Sequence, residues 1–275
     1  MPKLSLPPVN KKIGSTLDRQ KPAGVRRHPQ RLKEVKKLKI KRWVAWMCLF
    51  PLGTVTAFTL AEMFWRAVIR VEFWRSEPLV FFVTGGVVWW MAYLFRWRPL
   101  HSYVIGHEVS HMLMARVFGG KIYKWDHGPA GGYVETDKSN TWISLAPYIV
   151  PLYPLIVLCA HLATGLFFDT HEAVTVPAGM LAFSFKPAWL FYILLGFTWW
   201  FHATYTWKTV AMEQGDLRRN GEFFSMQLIF VANLAVLLVL FLASSSTPGL
   251  GLGEMGRCWL STAAFLWRNS LGLFW

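Results

Sequence analysis

The sequence predicts an all-α polytopic membrane protein of about six transmembrane helices, with a small β-hairpin after a polar, histidine-bearing helix. Three observations lead there. Of the 275 residues, 54% are hydrophobic and only 16% are charged, against roughly 25% charged in ordinary soluble domains. Several apolar runs reach about 20 residues, enough for a helix to cross a bilayer core. Residues 121–140, KIYKWDHGPAGGYVETDKSN, alternate large apolar and polar side chains around Gly-Pro and Gly-Gly, a strand–turn–strand pattern.

Residues 1–42 hold 14 of the 29 Lys and Arg but only two acids, Asp18 and Glu34. Five prolines lie among them, so this basic tail is expected to be largely disordered, with a short helix starting around Arg31. Positive charge ahead of the first apolar run places the N-terminus on the cytoplasmic side. It also suits anionic lipid as a partner. Nucleic acid is not expected, because the tail lacks periodic aromatics or a binding-module motif. The first apolar stretch begins near Trp43, too late and too long for a cleavable leader.

Trp43–Trp65 and Leu79–Phe95 read as two accessory spans within residues 43–99, with Pro51 tolerated inside the first. Arg96 and Arg98 then mark a cytoplasmic turn. The membrane core is expected over 100–243. It begins with the polar segment Leu100–Phe118, which Gly119-Gly120 ends as a helix C-cap would. Thr141–Phe168 follows the hairpin, broken by Pro147, Pro151 and Pro154. Pro187–Trp207 and Phe223–Ala243 are further spans. Residues 244–275 read as a C-terminal segment forming an interfacial helix. Cys48, Cys159 and Cys258 are isolated and suggest soft packing rather than disulfides or a thiolate metal site. The expected location is a bacterial cell membrane.

His107, Glu108 and His111 form HExxH. On a helix, positions i and i+4 share a face, so both imidazoles can reach one Zn²⁺ ion. Glu108 stands beside that face, where it can accept a proton from a zinc-bound water as the catalytic base. With 8 His in the chain, chance predicts roughly 0.01 copies of the pattern. Ionisable residues in a membrane-embedded segment are costly and usually functional. The plainer alternative is two interfacial histidines snorkelling to water.

Zinc needs a third protein ligand. Candidates are Asp126, His127, Asp137, His161, Asp169, His171, His202 and Asp216. Asp216, in QGDLRRNG between two apolar spans, has the best context, although Asp is also a favoured helix N-cap. His202, inside WWFHATYTW, is the alternative ligand or an outer-shell group, and otherwise a packed core histidine. His101 is expected to mark the membrane edge.

The glycine before HEVSH, the Gly-Gly ending, the glycine-rich HGPAGGYV and the later Asp between spans together resemble the site-2-protease family of intramembrane zinc metalloproteases. The resemblance covers about residues 100–240. It fits best a poorly characterised branch whose aspartate stands in a short Gln-x-Asp-like loop. The asparagine- and proline-rich stretch that precedes the aspartate in better-known members is absent. The resemblance implies a three-helix zinc core that cleaves membrane proteins within or beside their spanning segments. His107 and His111 match its paired ligands, Glu108 its catalytic base and Asp216 its aspartate ligand.

The expected function is therefore a membrane-embedded zinc metalloendopeptidase, with one Zn²⁺ per chain. The alternatives are a non-catalytic membrane scaffold of the same fold and a membrane di-iron hydroxylase. The hydroxylase requires several paired-histidine boxes, whereas HEVSH is the only close pair. A topological difficulty accompanies this reading. Arg96/Arg98 and Lys208/Arg218/Arg219 mark one side, yet three candidate helices lie between them where an even number is required. Either 141–168 is partly re-entrant or residues 173–186 add a crossing.

Overall fold

A helix begins at Arg27 and scarcely pauses until Val71. In this computed structural model, which describes residues 27–71, 73–128, 131–178, 181–212, 215–244 and 251–272, it comprises α1 (Arg27–Val44), a π turn (Ala45–Leu49) and α2 (Phe50–Val71). It thus starts inside the stretch expected to be largely disordered, while residues 1–26 lie outside the described residues. Proline lacks the N–H an α turn needs and crowds the carbonyl four residues back. The widened turn immediately before Pro51 relieves that crowding at Met47.

The remaining elements are α3 (Glu77–Leu94), α4 (Leu100–Val117), β1 (Ile122–Gly128), β2 (Gly131–Thr136), α5 (Thr141–Ile149) and α6 (Leu152–Gly165). Then come β3 (Val174–Ala178), β4 (Leu181–Phe185), α7 (Pro187–Ala211), α8 (Gly215–Asn220), α9 (Glu222–Ser244) and α10 (Leu252–Gly272). The antiparallel β1–β2 hairpin stands where the alternating pattern predicts it. A second hairpin, β3–β4, was not foreseen.

Among the described residues, three helical stretches are long and apolar enough to cross a membrane: Lys33–Ile69, Glu77–Leu94 and Glu222–Phe241. A fourth is added if α5 and α6, bent by 71° at their junction, are counted as one. That is fewer than the six spans expected, and composition explains the difference. α4 and α7 are long, but the first carries His101, His107, Glu108 and His111, and the second carries His202, Lys208 and several threonines.

α3 and α7 run side by side in the same direction. At one end Lys186 Nζ and Trp189 Nε1 donate to Glu77 at 2.7 and 3.1 Å. Near the other, Lys208 bonds to the Tyr93 hydroxyl. Between them the backbones meet at glycine: a Cβ on Gly85 would collide with the Ile193 carbonyl, and one on Gly196 with that of Phe82. Close approach of this kind requires small residues.

α4 does not start at the end of that pair. Leu100 and Tyr103 pack beside Trp89, Phe201 and Tyr205, partway along α7. The helix then proceeds in the direction of α7, past Thr209 to Asp216. α5 comes back beside α4, its Ile143 carbonyl at His111 and Tyr148 at His107. α6 continues from Tyr153, which donates to the Ser102 carbonyl at 2.6 Å, to His161, whose ring lies 4.7 Å from that of Phe191. The bent pair together therefore returns the chain along α7. Arg98 and Lys208 both lie over the Tyr93 ring, 5.0 and 4.5 Å from its centroid. Between them the chain returns along α5 and α6 and then runs back along α7. Residues 174–178 and 181–185 form a hairpin and add no helical crossing.

Candidate metal centre

One turn of α4 separates His107 from His111, and their ring centroids lie 5.0 Å apart. α8 brings Asp216 to this pair: its Oδ2 lies 3.8 Å from His111 Nε2. One ligand atom from each of His107, His111 and Asp216 fits within 4.8 Å of the others. This half-buried group could hold a metal ion, and among the described residues no other set of His, Cys, Asp or Glu does so.

Each ligand has partners that set its orientation. His111 Nδ1 lies 2.7 Å from the Ile143 carbonyl oxygen. A carbonyl only accepts, so Nδ1 carries a proton, and Nε2, the nitrogen that faces Asp216, is the one placed to bind a metal. The carbonyl is set by the N-terminal turn of α5, where Asn140 caps the helix by accepting from the Ile143 N–H at 2.8 Å. His107 Nδ1 faces the Tyr103 hydroxyl at 3.4 Å, and that hydroxyl is itself held by Thr209 Oγ1 at 2.7 Å. Tyr148, fully buried, sets its ring edge-on to His107 at 5.4 Å. Its hydroxyl has no hydrogen-bond partner among the described residues.

Asp216 is held by a polar cluster. Ser144 Oγ donates to its Oδ1 at 3.4 Å, which leaves Oδ2 turned to His111. Asn220, one helical turn on, donates through Nδ2 to the Asp216 carbonyl and to Ser144 Oγ, each at 3.0 Å. Burial of these groups is tolerated because their donors and acceptors are matched.

Glu108, the glutamate of the motif, is only 6% exposed. The β1–β2 hairpin covers it. A Cβ on Gly132 would stand 2.6 Å from Glu108 Cγ, so glycine lets the strand approach this closely. The hairpin doubles back along α4, and the rings of His127 and His101 come within 5.1 Å. Pro129 and Ala130, at the expected Gly-Pro turn, lie outside the described residues.

The structure does not bring His202 into the group. It is buried on α7, with Nε2 3.5 Å from Thr206 Oγ1 and the Asn233 amide as a further side-chain partner. The other ligand candidates also stand apart. Asp137 accepts from the Lys121 N–H at 2.7 Å across the base of the hairpin, and Asp169 accepts from the His171 N–H at 2.9 Å within a turn. Asp126 and His127 lie within the hairpin ladder. The rings of His161 and His171 are 6.4 Å apart beside the N-terminal end of α7.

Thr141, Ser144, Asn220 and Lys41 went unread in the sequence. A signal existed for three of them, since Thr141 and Ser144 are spaced i, i+3 and Asp216 and Asn220 i, i+4, so each pair shares a helix face. Nothing local pointed to Lys41. No family model, curated protein or solved structure matches the chain.

Proposed function

We propose that this chain is a membrane-embedded zinc metalloendopeptidase, with His107, His111 and Asp216 as ligands and Glu108 as the catalytic base. The observation that carries the reading is the convergence of three ligand atoms within 4.8 Å beside a buried glutamate. Two imidazoles and a carboxylate are a donor set that zinc favours in hydrolytic sites, where a fourth position stays open. Tetrahedral ligands at zinc distances lie about 3.4 Å apart. The observed 3.8 Å between His111 Nε2 and Asp216 Oδ2 would close by only a few tenths of an ångström. A single three-residue group among the described residues also suits one metal better than the two of an oxygenase.

Zinc bound there would act as a Lewis acid, bringing the pKa of a water to about 7. Glu108 would serve as the base that accepts the proton of a water as its oxygen adds to the peptide carbonyl carbon, and would return that proton to the leaving amine nitrogen. His111 keeps its ligand nitrogen available because the Ile143 carbonyl holds the opposite N–H. The substrate must be unwound, since a helix keeps its scissile carbonyl internally hydrogen-bonded. The β1–β2 hairpin is two-stranded, and pairing of an extended substrate with it beside Glu108 supplies that conformation.

The apolar helices are the basis for a multi-pass membrane location, with the N-terminus cytoplasmic and membrane proteins as substrates. The exposed basic residues of α1 are the basis for contact with anionic lipid. The decisive experiment replaces Glu108 with Gln in the full-length protein in bilayer nanodiscs. Zinc content should be unchanged while cleavage of a model transmembrane substrate falls by about 10²–10⁴-fold, the usual contribution of a general base. Undiminished cleavage would sink the assignment.

A further inference from the structure

The N-terminal basic helix contains one lysine unlike the rest. Lys33, Lys36, Lys37, Lys39 and Arg42 are exposed, whereas Lys41 turns inward and is half-buried. Its ammonium donates to Asn220 Oδ1 at 2.6 Å and to Thr141 Oγ1 at 2.9 Å. Thr141 passes its own hydroxyl proton toward Asn220 Oδ1 at 3.0 Å. The Asn220 amide then donates to Ser144 Oγ at 3.0 Å, and Ser144 donates to Asp216 Oδ1 at 3.4 Å. The bonds from Lys41 through Asn220 and Ser144 all donate in one direction, from the cation toward the carboxylate, while Asn220 Nδ2 also donates to the Asp216 carbonyl.

The amide orientation of Asn220 follows from this. With the lysine on Oδ1, the carbonyl must face α1 and the NH₂ must face Ser144. Removing the ammonium takes the charged donor from Asn220 Oδ1 and leaves only the Thr141 hydroxyl on it, which loosens the amide whose NH₂ reaches Ser144 and the Asp216 carbonyl. Packing places the lysine: Leu38, one turn earlier on α1, lies against Gly221 at the α8–α9 junction, and the ammonium sits 5.3 Å from the Phe224 ring centroid.

We infer that Lys41 is a positioning residue for the metal centre, holding the Asp216 carboxylate through Asn220 and Ser144 so that Oδ2 faces His111. This rests on the metal reading given above. It makes the basic segment more than a lipid-binding tail: one of its cations supports a ligand, Asp216, that lies more than 170 residues later in the chain. Outer-shell partners of this kind typically change metal affinity by about 10–100-fold.

The test is Co²⁺ binding to the full-length protein in nanodiscs, followed by the visible ligand-field bands and by competition with a chelator of known affinity. Lys41→Met removes the charge at similar length and should weaken Co²⁺ binding by about 10–100-fold, with altered bands. Lys41→Arg, which keeps the donors, should restore most of both. Ser144→Ala should weaken binding as well, and combining it with Lys41→Met should add little, because both cut one relay. Wild-type affinity and bands in Lys41→Met would overturn the inference while leaving the metal site standing. Additive losses in the double variant would overturn the relay, and they can be read even if Lys41→Met alone folds poorly, from Thr141→Val in its place. Failure of the wild type to bind Co²⁺ at all would remove the metal reading and this inference together.

Discussion

α4 and α7 both bury histidine, and they use it oppositely. On α4, His107 and His111 look across a gap at an acid from a distant segment, and His111 is aimed by a backbone carbonyl. On α7, His202 is buried too, but its neighbours are the Thr206 hydroxyl and the Asn233 amide. Asn233 in turn donates to the Tyr148 carbonyl at 3.0 Å, so His202 belongs to the packing that supports α5. The difference lies not in the residue or its burial but in what the rest of the chain brings to it. A buried imidazole satisfied by neutral partners is structural, and one left facing a carboxylate and a second imidazole is prepared for a cation.

That comparison breaks first if the ligands are misassigned. Asp216→Ala should weaken metal binding by more than about 100-fold, since loss of an outer-shell group alone reaches that figure. His202→Ala should retain full metal stoichiometry and instead lower stability by about 1–3 kcal/mol, through the polar partners it leaves unpaired. Metal analysis and denaturant titration of both variants decide the matter. Metal lost from His202→Ala and kept by Asp216→Ala would reverse the roles of the two helices.

A smaller effect is expected where α4 meets the hairpin. Gly132→Val places a branched side chain where Glu108 Cγ now lies, so either the strand or the glutamate must shift. Misplacement of a catalytic group by about 1 Å costs up to about 100-fold in rate. Turnover should fall by about 10–100-fold with metal content unchanged. A variant that cleaves normally would show that the hairpin is not tied to Glu108.

The smallest effect tests α7 away from any metal. Gly196→Ala forces a Cβ into the Phe82 carbonyl and should destabilise the α3–α7 pair by about 1–3 kcal/mol, as overpacking does. Metal affinity measured below the unfolding transition should match the wild type. A loss of affinity there would mean that α7 positions the centre more directly than its contacts indicate.

Much of this was legible from local pattern. HExxH on a helix needs only the 3.6-residue period to place His107 beside His111. Alternation around glycine announced the β1–β2 hairpin, and apolar runs bounded α3 and α9 to within a few residues of Glu77–Leu94 and Glu222–Ser244. The expected number of spans was too high because the polar residues of α4 and α7 lower their hydropathy, and no local pattern reveals that α4 begins partway along α7. The β3–β4 hairpin was missed because its two five-residue strands are too short for a strong alternating signal.

A helical, apolar chain carrying one paired-histidine motif with its glutamate follows from local pattern, because those features depend on neighbours within a turn or two. Tertiary structure alone decided that Asp216 rather than His202 faces that pair. Residues 105 positions apart meet only through packing, and no local period encodes such a meeting. The fold also decided that α5 and α6, bent by 71° at their junction, together carry the chain back along α7. Likewise, only the fold could single out Lys41 among the lysines of its helix: every one is equally basic in sequence, and burial against Asn220 and Thr141 is what makes this one different.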